Sequence, residues 1–397
     1  MSSARESLAR LEALFAVGLR IARSARSGRI ALAQLAAALD PEWLPTPEAD
    51  DFAAILADAE RQTHEPIAER DVERILRDAW GVKPGEELDD LELEPVAVTP
   101  GAQMHRGTLQ GAPVAIKVLR PGLAASVRQD LALLEALAAP LGAAFPALDA
   151  SAVLREVRER VLEELDLESE ATVQRRFARA LRRHPFLLVP APITRLCHEG
   201  VLVSEWVDGV PFAQAPDPDQ AAARLVVFVL GAAHWGVSYA DPHADNVLVV
   251  GDGDLAVVDF GACRPIAPER LQAATGVLSA VIDEDAAALG GRLDTLGWMA
   301  PEHAADTLSL ARALAGDLLM PGASRLDSDE VIAARGRLVA NADALADLLP
   351  RGALAPEDLW PGRGVAALLG TIARLGATGD WVALALEALR EGWNASA

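Results

Sequence analysis

The chain has 397 residues and a net charge of −22, and 51% of its residues are hydrophobic but only 4% aromatic. This length allows two or three lobes with a substantial core, and the composition is typical of a helix-rich globular protein. The acidic balance argues against a dedicated nucleic-acid-binding protein, because phosphate neutralisation requires clustered cations. Cys197 and Cys263 have neither metal-site nor disulfide-scaffold spacing, which favours a reducing cytoplasm.

Residues 1–92 read as a helical extension, interrupted by prolines between 41 and 47 and again at 81–84. Apolar positions between Leu8 and Ala22 recur at helical spacing and predict an amphipathic helix that docks on the protein, with a membrane-surface role as the alternative. No stretch reaches the roughly 20 apolar residues of a transmembrane helix. We therefore expect no transmembrane segment and a cytoplasmic protein, with peripheral membrane contact left open.

Strand character begins near residue 94. Residues 96–98 and 114–119 are apolar and β-branched, and glycines at 101, 107 and 111 are expected to mark the turns between them. The second predicted strand contains Lys117, which with Lys83 makes up all the lysine of a chain that otherwise uses arginine. A compact ammonium on a flexible stem reaches nucleotide phosphates where a planar guanidinium fits poorly. Lys117 is therefore a candidate phosphate-binding residue.

A long helical stretch is predicted from Ser151, and it contains an acidic run with Glu164, Asp166 and Glu170. On a continuous helix Asp166 and Glu170 share a face, whereas Glu164 and Asp166 point to nearly opposite sides unless the helix bends. Read alone, this run is typical of a solvated helix face. Residues 201–209 follow as a buried strand that leads into a turn.

The strongest pattern lies at residues 239–261. Asn246 follows Asp241 by five positions, and an Asp-Phe-Gly triplet begins at Asp259, thirteen positions further on. Two apolar strands, 247–250 and 255–258, flank a Gly-Asp-Gly-Asp turn and would carry Asn246 and Asp259 to the same place. Either the Asp-Pro-His triplet that begins at Asp241 or the Asp-Phe-Gly triplet alone would be compatible with an ordinary turn. Together they have the spacing of the catalytic loop and metal loop of protein kinases.

The kinase pattern assigns a role to each candidate. Lys117 would hold the α/β-phosphates of ATP, and Glu170 would orient it. Asn246 and Asp259 would bind Mg²⁺, while Asp241 would accept the proton of a substrate hydroxyl or orient a water molecule. Backbone groups from Glu205 to Val207 would bind the adenine edge.

Beyond residue 261 the chain reads as helical to its end, with breaks at Pro301, Pro321-Gly322, 350–352 and Pro361-Gly362. The predicted fold class is α+β, with the bilobal arrangement of protein kinases. Residues 1–92 form the helical extension, 93–207 a small β-containing lobe with inserted helices, and 208–397 a large helical lobe.

These motifs resemble the UbiB/ADCK (AarF-domain) atypical kinase family from about residue 28 to 380. Residues 114–122 are similar to the family's VAVKVQRPG-like strand and turn, and 164–166 followed by Glu170 are similar to its ExD motif and αC-type glutamate. Residues 240–243 with Asn246 are similar to its ADPHPGN loop. The resemblance implies that Gln103 and Ala115 also contact the nucleotide. It implies that the ExD carboxylates, Glu164 and Asp166, face metal or solvent here.

Several positions depart from the family pattern. The alanine-rich loop is degraded across 97–103, and the KxGQ motif aligns with 31–34 but lacks its lysine and glycine. Ala244-Asp245 replaces the Pro-Gly of the catalytic loop, and Tyr239 replaces a histidine. These changes leave the nucleotide and metal residues intact and alter what covers the acceptor. We therefore expect a restraint on phosphoryl transfer that is loosened or rebuilt, so restoring Lys and Gly at Ala31 and Ala33 should lower activity.

The resemblance implies an ATP·Mg²⁺-dependent phosphotransferase or ATPase in isoprenoid-lipid metabolism, such as that of quinones. Its partners would be ATP, a small-molecule or lipid acceptor, and a biosynthetic enzyme. Loss of the KxGQ lysine also allows a small-molecule kinase of specialised metabolism, and aminoglycoside phosphotransferases share a similar Asp-x-His…Asn loop. Further alternatives are a nucleotide-binding pseudokinase scaffold, favoured by the altered 244–245 loop and Tyr239, and a purely structural helical protein.

Overall fold

The computed structural model describes residues 65–99, 101–320 and 322–397, together with Arg10, Ala13, Val17 and Gly18. Most of the predicted amphipathic helix and all of the KxGQ-equivalent segment, 31–34, lie outside these residues. The described part has two lobes, one built on a five-stranded sheet and one mainly helical. This confirms the predicted α+β, kinase-like class.

The small lobe contains an antiparallel sheet in the order β1-β3-β4-β6, with β2 also paired to β3. Its strands are β1 (Asp90–Leu91), β2 (Ala97–Val98), β3 (Ala102–Leu109), β4 (Ala112–Leu119) and β6 (Val201–Glu205). Gln110 and Gly111, both with positive φ, form the two-residue turn that connects β3 to β4. β1 lies within the segment predicted to be helical, so that prediction was wrong at its last residues.

Gly107 lies in the middle of β3, not in a turn as the sequence suggested. A Cβ there would lie 2.9 Å from Cδ1 of Ile116 and 3.1 Å from the carbonyl oxygen of Asp90. The glycine therefore lets β1 and β4 approach β3 closely on both sides, which is the usual reason for glycine inside a strand.

One face of the sheet packs against α1 (Glu69–Trp80), which α2 (Pro84–Glu87) follows. Alternation along β4 buries Val114, Ile116 and Val118 on this face, where they meet Val72 and Leu76 of α1. The opposite face carries Ala115 and Lys117 and looks toward the large lobe. Alternation thus separates the structural face of the sheet from the face that holds the site.

Four helices lie between β4 and β6, namely α3 (Leu123–Leu131), α4 (Ala138–Ala144), α5 (Ala150–Glu163) and α6 (Leu167–Ala180). The helix predicted from Ser151 therefore ends at Glu163, and a second helix begins at Leu167. The chain thus bends between Glu164 and Asp166, so the two side chains are not held on opposite sides of one helix. The short strand β5 (Leu187–Leu188) then joins the sheet of the large lobe.

The strands of the large lobe form the floor of the site. β7 (Val210–Pro211), β9 (Val247–Val250) and β10 (Asp254–Val257) pair antiparallel in the order β10-β9-β7, and β5 joins β10 in parallel. The predicted hairpin at 247–258 is thus confirmed. β8 (Val237–Tyr239) pairs with β11 (Cys263–Pro265), which holds the chain before Asp241 beside the chain after Gly261.

Among the helices of the large lobe, α7 (Pro218–His234) has ten buried residues and contributes to the main hydrophobic core. The remainder are α8 (Pro268–Ile282), α9 (Ala286–Leu296), α10 (Ala304–Ala315), α11 (Ser328–Ala340), α12 (Ala342–Leu348), α13 (Leu359–Leu375) and α14 (Trp381–Glu391), with β12 (Ser324–Arg325) paired to β13 (Thr378–Gly379). Within the part of the chain described, no helix is both long and apolar enough to cross a bilayer.

α13 continues through Pro361-Gly362, where the sequence predicted a break. Pro361 lies in the first turn, where its missing N–H would have no partner within the helix in any case. The helix then passes close to the end of β8. A Cβ at Gly364 would lie 2.6 Å from the carbonyl oxygen of Tyr239 and 3.1 Å from Cα of Ala240. Gly364 therefore sets the distance between α13 and the residue before Asp241.

Gly364→Ala should lower the free energy of unfolding by about 1–3 kcal/mol, because backbone must move to accommodate the methyl group. Urea unfolding followed by circular dichroism measures the change. Gly362→Ala is the matched control, since no heavy atom lies within 4 Å of a Cβ at Gly362 in the same helix. It should leave stability unchanged or raise it by about 0.5 kcal/mol. Equal effects of the two changes would contradict the close packing at Gly364.

Candidate active site

Lys117 is the centre of the site. Its Nζ lies 3.0 Å from both carboxylate oxygens of Glu170 on α6 and 2.6 Å from Oδ2 of Asp259. Glu170 is 3% exposed, and its Oε1 also accepts a hydrogen bond of 3.3 Å from the backbone N–H of Phe260. One ammonium thus joins β4, α6 and the loop after β10, as the sequence predicted for Lys117 and Glu170.

The two carboxylates respond differently to this environment. Burial raises the pKa of Glu170 to about 7, and the repulsion of Asp259 adds to the effect although Lys117 opposes it. Burial also acts to raise the pKa of Asp259, but the closer contact with Lys117 outweighs it and the pKa lies below its usual value. Burial acts to lower the pKa of Lys117, yet its two carboxylate partners hold it above the ordinary value. The lysine is therefore charged, and Asp259 is its main counterion.

Asp241 and Asn246 lie together at the catalytic loop. Nδ2 of Asn246 donates to the carbonyl oxygen of Asp241 at 3.0 Å and to its Oδ2 at 3.2 Å. The hydroxyl of Tyr239 donates to the carbonyl oxygen of Asp259 at 2.9 Å, and Tyr239 is 2% exposed. Tyr239 therefore joins the catalytic loop to the metal loop, a role that the sequence did not indicate.

The donor set at Asn246 and Asp259 fits a hard divalent cation. Because the amide nitrogen of Asn246 is used by Asp241, its oxygen is the atom left to act as a ligand. Asp259 accepts from the N–H of Gly261 at 3.1 Å through Oδ1 and contacts Lys117 through Oδ2. One carboxylate and one amide oxygen are ligands that Mg²⁺ accepts, with water and phosphate oxygens completing its shell.

The side chain of Glu164 is buried, so the expectation that it faces solvent was wrong. Its Oε1 accepts hydrogen bonds from Nη1 of Arg363 at 3.0 Å and from Nε1 of Trp360 at 3.3 Å, both on α13. Nη2 of Arg363 also lies 3.4 Å from Oδ1 of Asp241, and the side chains of Arg363 and Glu164 are each 6% exposed. Arg363 thus lies between Glu164 and Asp241.

The pKa values of Glu164 and Asp241 are both raised by their surroundings. Burial raises the pKa of Glu164, and the Arg363 guanidinium opposes that rise. The same two influences act on Asp241, whose pKa is raised as well. Arg363 therefore reduces the cost of keeping these two buried carboxylates charged.

Asp166 has a structural role. It is the N-cap of α6, and its Oδ1 accepts from the N–H groups of Glu168 at 3.0 Å and Ser169 at 3.1 Å. It therefore fixes the start of the helix that carries Glu170.

Two backbone N–H groups of the predicted hinge, residues 205–207, donate hydrogen bonds within the protein. The N–H of Glu205 donates to the carbonyl oxygen of Ala191 at 3.0 Å, and that of Trp206 donates to Pro113 at 3.2 Å. Val207 is the residue of this stretch whose N–H has no hydrogen-bond partner among the described residues. Ala115 lies on the same face of β4 as Lys117, so it remains a candidate for nucleotide contact.

Gln103 does not join this group. On β3 it pairs with Val118 and is 1% exposed on the face that packs against α1, opposite Lys117. Its Oε1 accepts from the N–H of Ile67 at 2.7 Å, and its Nε2 lies 2.7 Å from Nε2 of His105. Direct nucleotide contact by Gln103 was therefore a wrong prediction, because its amide links the segment before α1 to the sheet.

Comparison with known proteins agrees with this geometry. The sequence model of the ABC1 atypical kinase-like domain matches residues 60–291, more than half of the chain, and the match contains the candidate lysine, glutamate, aspartates and asparagine. The chain belongs to the ABC1 atypical kinase-like family. The resemblance to UbiB/ADCK proteins is thereby confirmed, and Arg363 lies beyond the matched segment.

The chain aligns with curated relatives over part of its own length and part of theirs. The chain is 31% identical over 242 residues to an uncharacterized protein of Synechocystis, which aligns 56% of this chain and 59% of that protein. It is 30% identical over 225 residues to ACTIVITY OF BC1 COMPLEX KINASE 1 of Arabidopsis thaliana, with shares of 53% and 33%. A probable protein kinase UbiB of Marinobacter nauticus is 26% identical over 269 residues, with shares of 64% and 49%. The chain thus spans a third to three-fifths of the length of these relatives.

A solved structure shares the fold. The Mycobacterium tuberculosis protein Rv3197, solved in complex with erythromycin, aligns with a TM-score of 0.64 over 92% of both chains at 22% identity. At this identity the match supports the bilobal architecture and nothing finer.

Arg363→Met should lower the free energy of unfolding by about 3 kcal/mol at about pH 8, because Glu164 loses its buried counterion. Without Arg363 the already raised pKa of Glu164 rises further. A carboxyl whose folded-state pKa is raised supports folding at acid pH and withdraws that support as pH increases. The difference from wild type in urea unfolding should therefore shrink toward about pH 5.

Glu164→Gln combined with Arg363→Met is the control for this prediction. The neutral amide removes the uncompensated charge, so the double variant should lose less stability than Arg363→Met alone. A double variant that is equally unstable at about pH 8 would show that packing of Arg363, and not its charge, stabilises α13.

Asp166→Ala should cost about 1 kcal/mol of unfolding free energy, since α6 loses its N-cap. Asp166→Ser should recover most of that loss, because a serine hydroxyl also accepts from the first-turn N–H groups. Thermal and urea unfolding measure both variants. Failure of serine to recover stability would indicate that the negative charge of Asp166 is what α6 requires.

Proposed function

We propose that this protein transfers the γ-phosphoryl group of ATP, with Mg²⁺ as cofactor. The observation that carries the proposal is the contact of Lys117 with both Glu170 and Asp259, beside the Asp241–Asn246 pair. Protein kinases require the lysine–glutamate pair and the metal-loop aspartate to be in place together. In this chain the lysine contacts both the glutamate and the aspartate.

Nucleotide binding would change the partners of Lys117. Phosphate oxygens of ATP would compete with Asp259 for the ammonium, while Glu170, which is nearly fully buried, keeps it oriented. Asp259 is the more accessible carboxylate, with 30% of its side chain exposed, against 2% for Glu170. The released Asp259 and the Asn246 amide oxygen would then hold Mg²⁺, which screens the charge on the phosphates.

Asp241 would act on the acceptor. An acceptor hydroxyl oxygen forms a bond to the γ-phosphorus, the bond from phosphorus to the ADP oxygen breaks, and the hydroxyl proton passes to Asp241. Asn246 holds the carboxylate through one oxygen, and Arg363 lies beside the other. With water as the acceptor, the same steps yield ADP and phosphate.

We further propose that the reaction serves or regulates isoprenoid-lipid metabolism, as the resemblance to UbiB-type kinases implies. A small-molecule kinase is the second candidate, because the segment 31–34 that aligns with the KxGQ motif lacks the family's lysine. A nucleotide-binding scaffold without turnover is a third candidate, favoured by the Ala244-Asp245 pair that replaces the Pro-Gly of the family's loop.

The test incubates the protein with ATP and Mg²⁺, alone and with a small-molecule extract, and counts ADP and inorganic phosphate. ADP equal to phosphate indicates an ATPase, and ADP in excess of phosphate with extract indicates a phosphorylated acceptor. Lys117→Met and Asp259→Asn should each lower ADP formation at least about 100-fold, since both act on charge in the transition state.

Lys83→Met is the matched control, because Lys83 is the other lysine of the chain and is exposed. It should leave ADP formation unchanged. ADP formation that survives Asp259→Asn would contradict the catalytic proposal. A thermal shift with ATP and Mg²⁺ but no ADP would select the scaffold.

A further inference from the structure

A strongly cationic surface lies on α6, the helix that carries Glu170. Five of the nine residues from 175 to 183 are arginine, on the second half of α6 and the turn after it. We call them the arginine face. Its members are Arg175, Arg176, Arg179, Arg182 and Arg183.

The periodicity of α6 separates this face from the site. Glu170, Gln174, Phe177 and Leu181 recur every three or four residues and are at most 3% exposed. The arginines fall between them and point outward, and all but the half-buried Arg175 are exposed. The same helix therefore presents Glu170 to Lys117 on one side and guanidinium groups to solvent on the other.

The arginine face has no carboxylate partner among the described residues. Among these residues, no carboxylate lies within 4.0 Å of a guanidinium group of the face. Arg176 makes a cation–π contact with Trp235, whose ring centroid lies 5.2 Å away. On α1, by contrast, Arg74 pairs with Asp71 at 3.0 Å. In a chain with 58 acidic and 36 basic residues, five neighbouring cations without an ion pair to any residue that the structure describes differ from the arginines of α1.

Stabilisation of the helix end does not explain the cluster. A cation near a helix C-terminus gains about 0.3–1 kcal/mol, and the effect is confined to the last turn. Arg175 and Arg176 precede the last turn of α6, and Arg182 and Arg183 follow its end at Ala180. Five neighbouring like charges also repel one another, so the arrangement costs stability in the isolated protein.

We propose that the arginine face docks a short acidic polypeptide segment of a partner protein. Guanidinium groups bind carboxylates through two parallel hydrogen bonds. Residues 175–180 extend over about 8 Å of α6, and Arg182 and Arg183 lie in the turn after it. A short acidic segment engages this face and little else. An extended anionic surface, such as a nucleic acid or a membrane, would also meet the remainder of a chain that carries a net charge of −22.

The position of the face gives docking a consequence for the site. A segment bound along α6 restrains the helix whose opposite side holds Glu170 against Lys117. Docking would therefore favour the ordered Lys117–Glu170 pair. The docking itself does not depend on the proposed function, whereas its effect on ATP turnover does.

Fluorescein-labelled poly-L-glutamate is the probe, and fluorescence anisotropy at low ionic strength measures its binding to the full chain. The variant Arg179→Gln/Arg182→Gln/Arg183→Gln should bind about tenfold more weakly, as the loss of three exposed charge pairs implies. Arg70→Gln/Arg74→Gln/Arg77→Gln on α1 is the matched control, since those arginines lie beside Asp71 and Asp78. It should change binding less than about twofold.

Circular dichroism and thermal unfolding establish that both variants are folded, which the exposure of the substituted side chains favours. Poly-L-glutamate that does not bind the wild type, or that binds all three proteins alike, would overturn the proposal. So would phosphatidylcholine–phosphatidylglycerol vesicles that bind through the same arginines when poly-L-glutamate does not. ATP turnover is measured separately. Charge-dependent binding without any turnover supports the docking face and counts against the proposed function.

Discussion

The architecture of the site depends on one ammonium shared by two carboxylates. Lys117 comes from the small-lobe sheet, Glu170 from α6, and Asp259 from the loop after β10, so one buried ion-pair network joins three elements distant in sequence. Burying an unpaired carboxylate costs several kcal/mol, and a single lysine offsets part of that cost for two of them. The network also explains why arginine does not replace this lysine, since a point charge satisfies three oxygens around it more readily than a planar fork.

Local patterns predicted the elements near the site well. The 247–258 hairpin, the strand with Lys117 and the hinge strand all follow from short runs of apolar and β-branched residues bounded by turn residues. The errors arise where tertiary contacts override local signals. Gly107 reads as a turn residue but lies within β3 because Ile116 and Asp90 leave no room for a side chain. Pro361 reads as a helix break but is tolerated in the first turn of α13.

The acceptor side of the site could not be read from sequence in the same way. Glu164 and Arg363 are 199 residues apart, and nothing local to either position indicates the pair. Gln103 is an error of another kind. It was predicted to contact the nucleotide because it is a polar residue in a motif, but its amide accepts a hydrogen bond from the backbone of Ile67. Residues held by long-range contacts are thus the ones for which the spacing of motifs is least informative.

The scarcity of lysine has a practical consequence for studying this protein by chemical labelling. Apart from the amino terminus, amine-directed reagents have two targets, the exposed Lys83 and the buried Lys117. A charged ammonium enclosed by carboxylates is a poor nucleophile, so Lys83 serves as an internal reference of full reactivity. The ratio of the two adducts in one peptide map would report how often the ion-pair network opens, with no probe engineered into the chain.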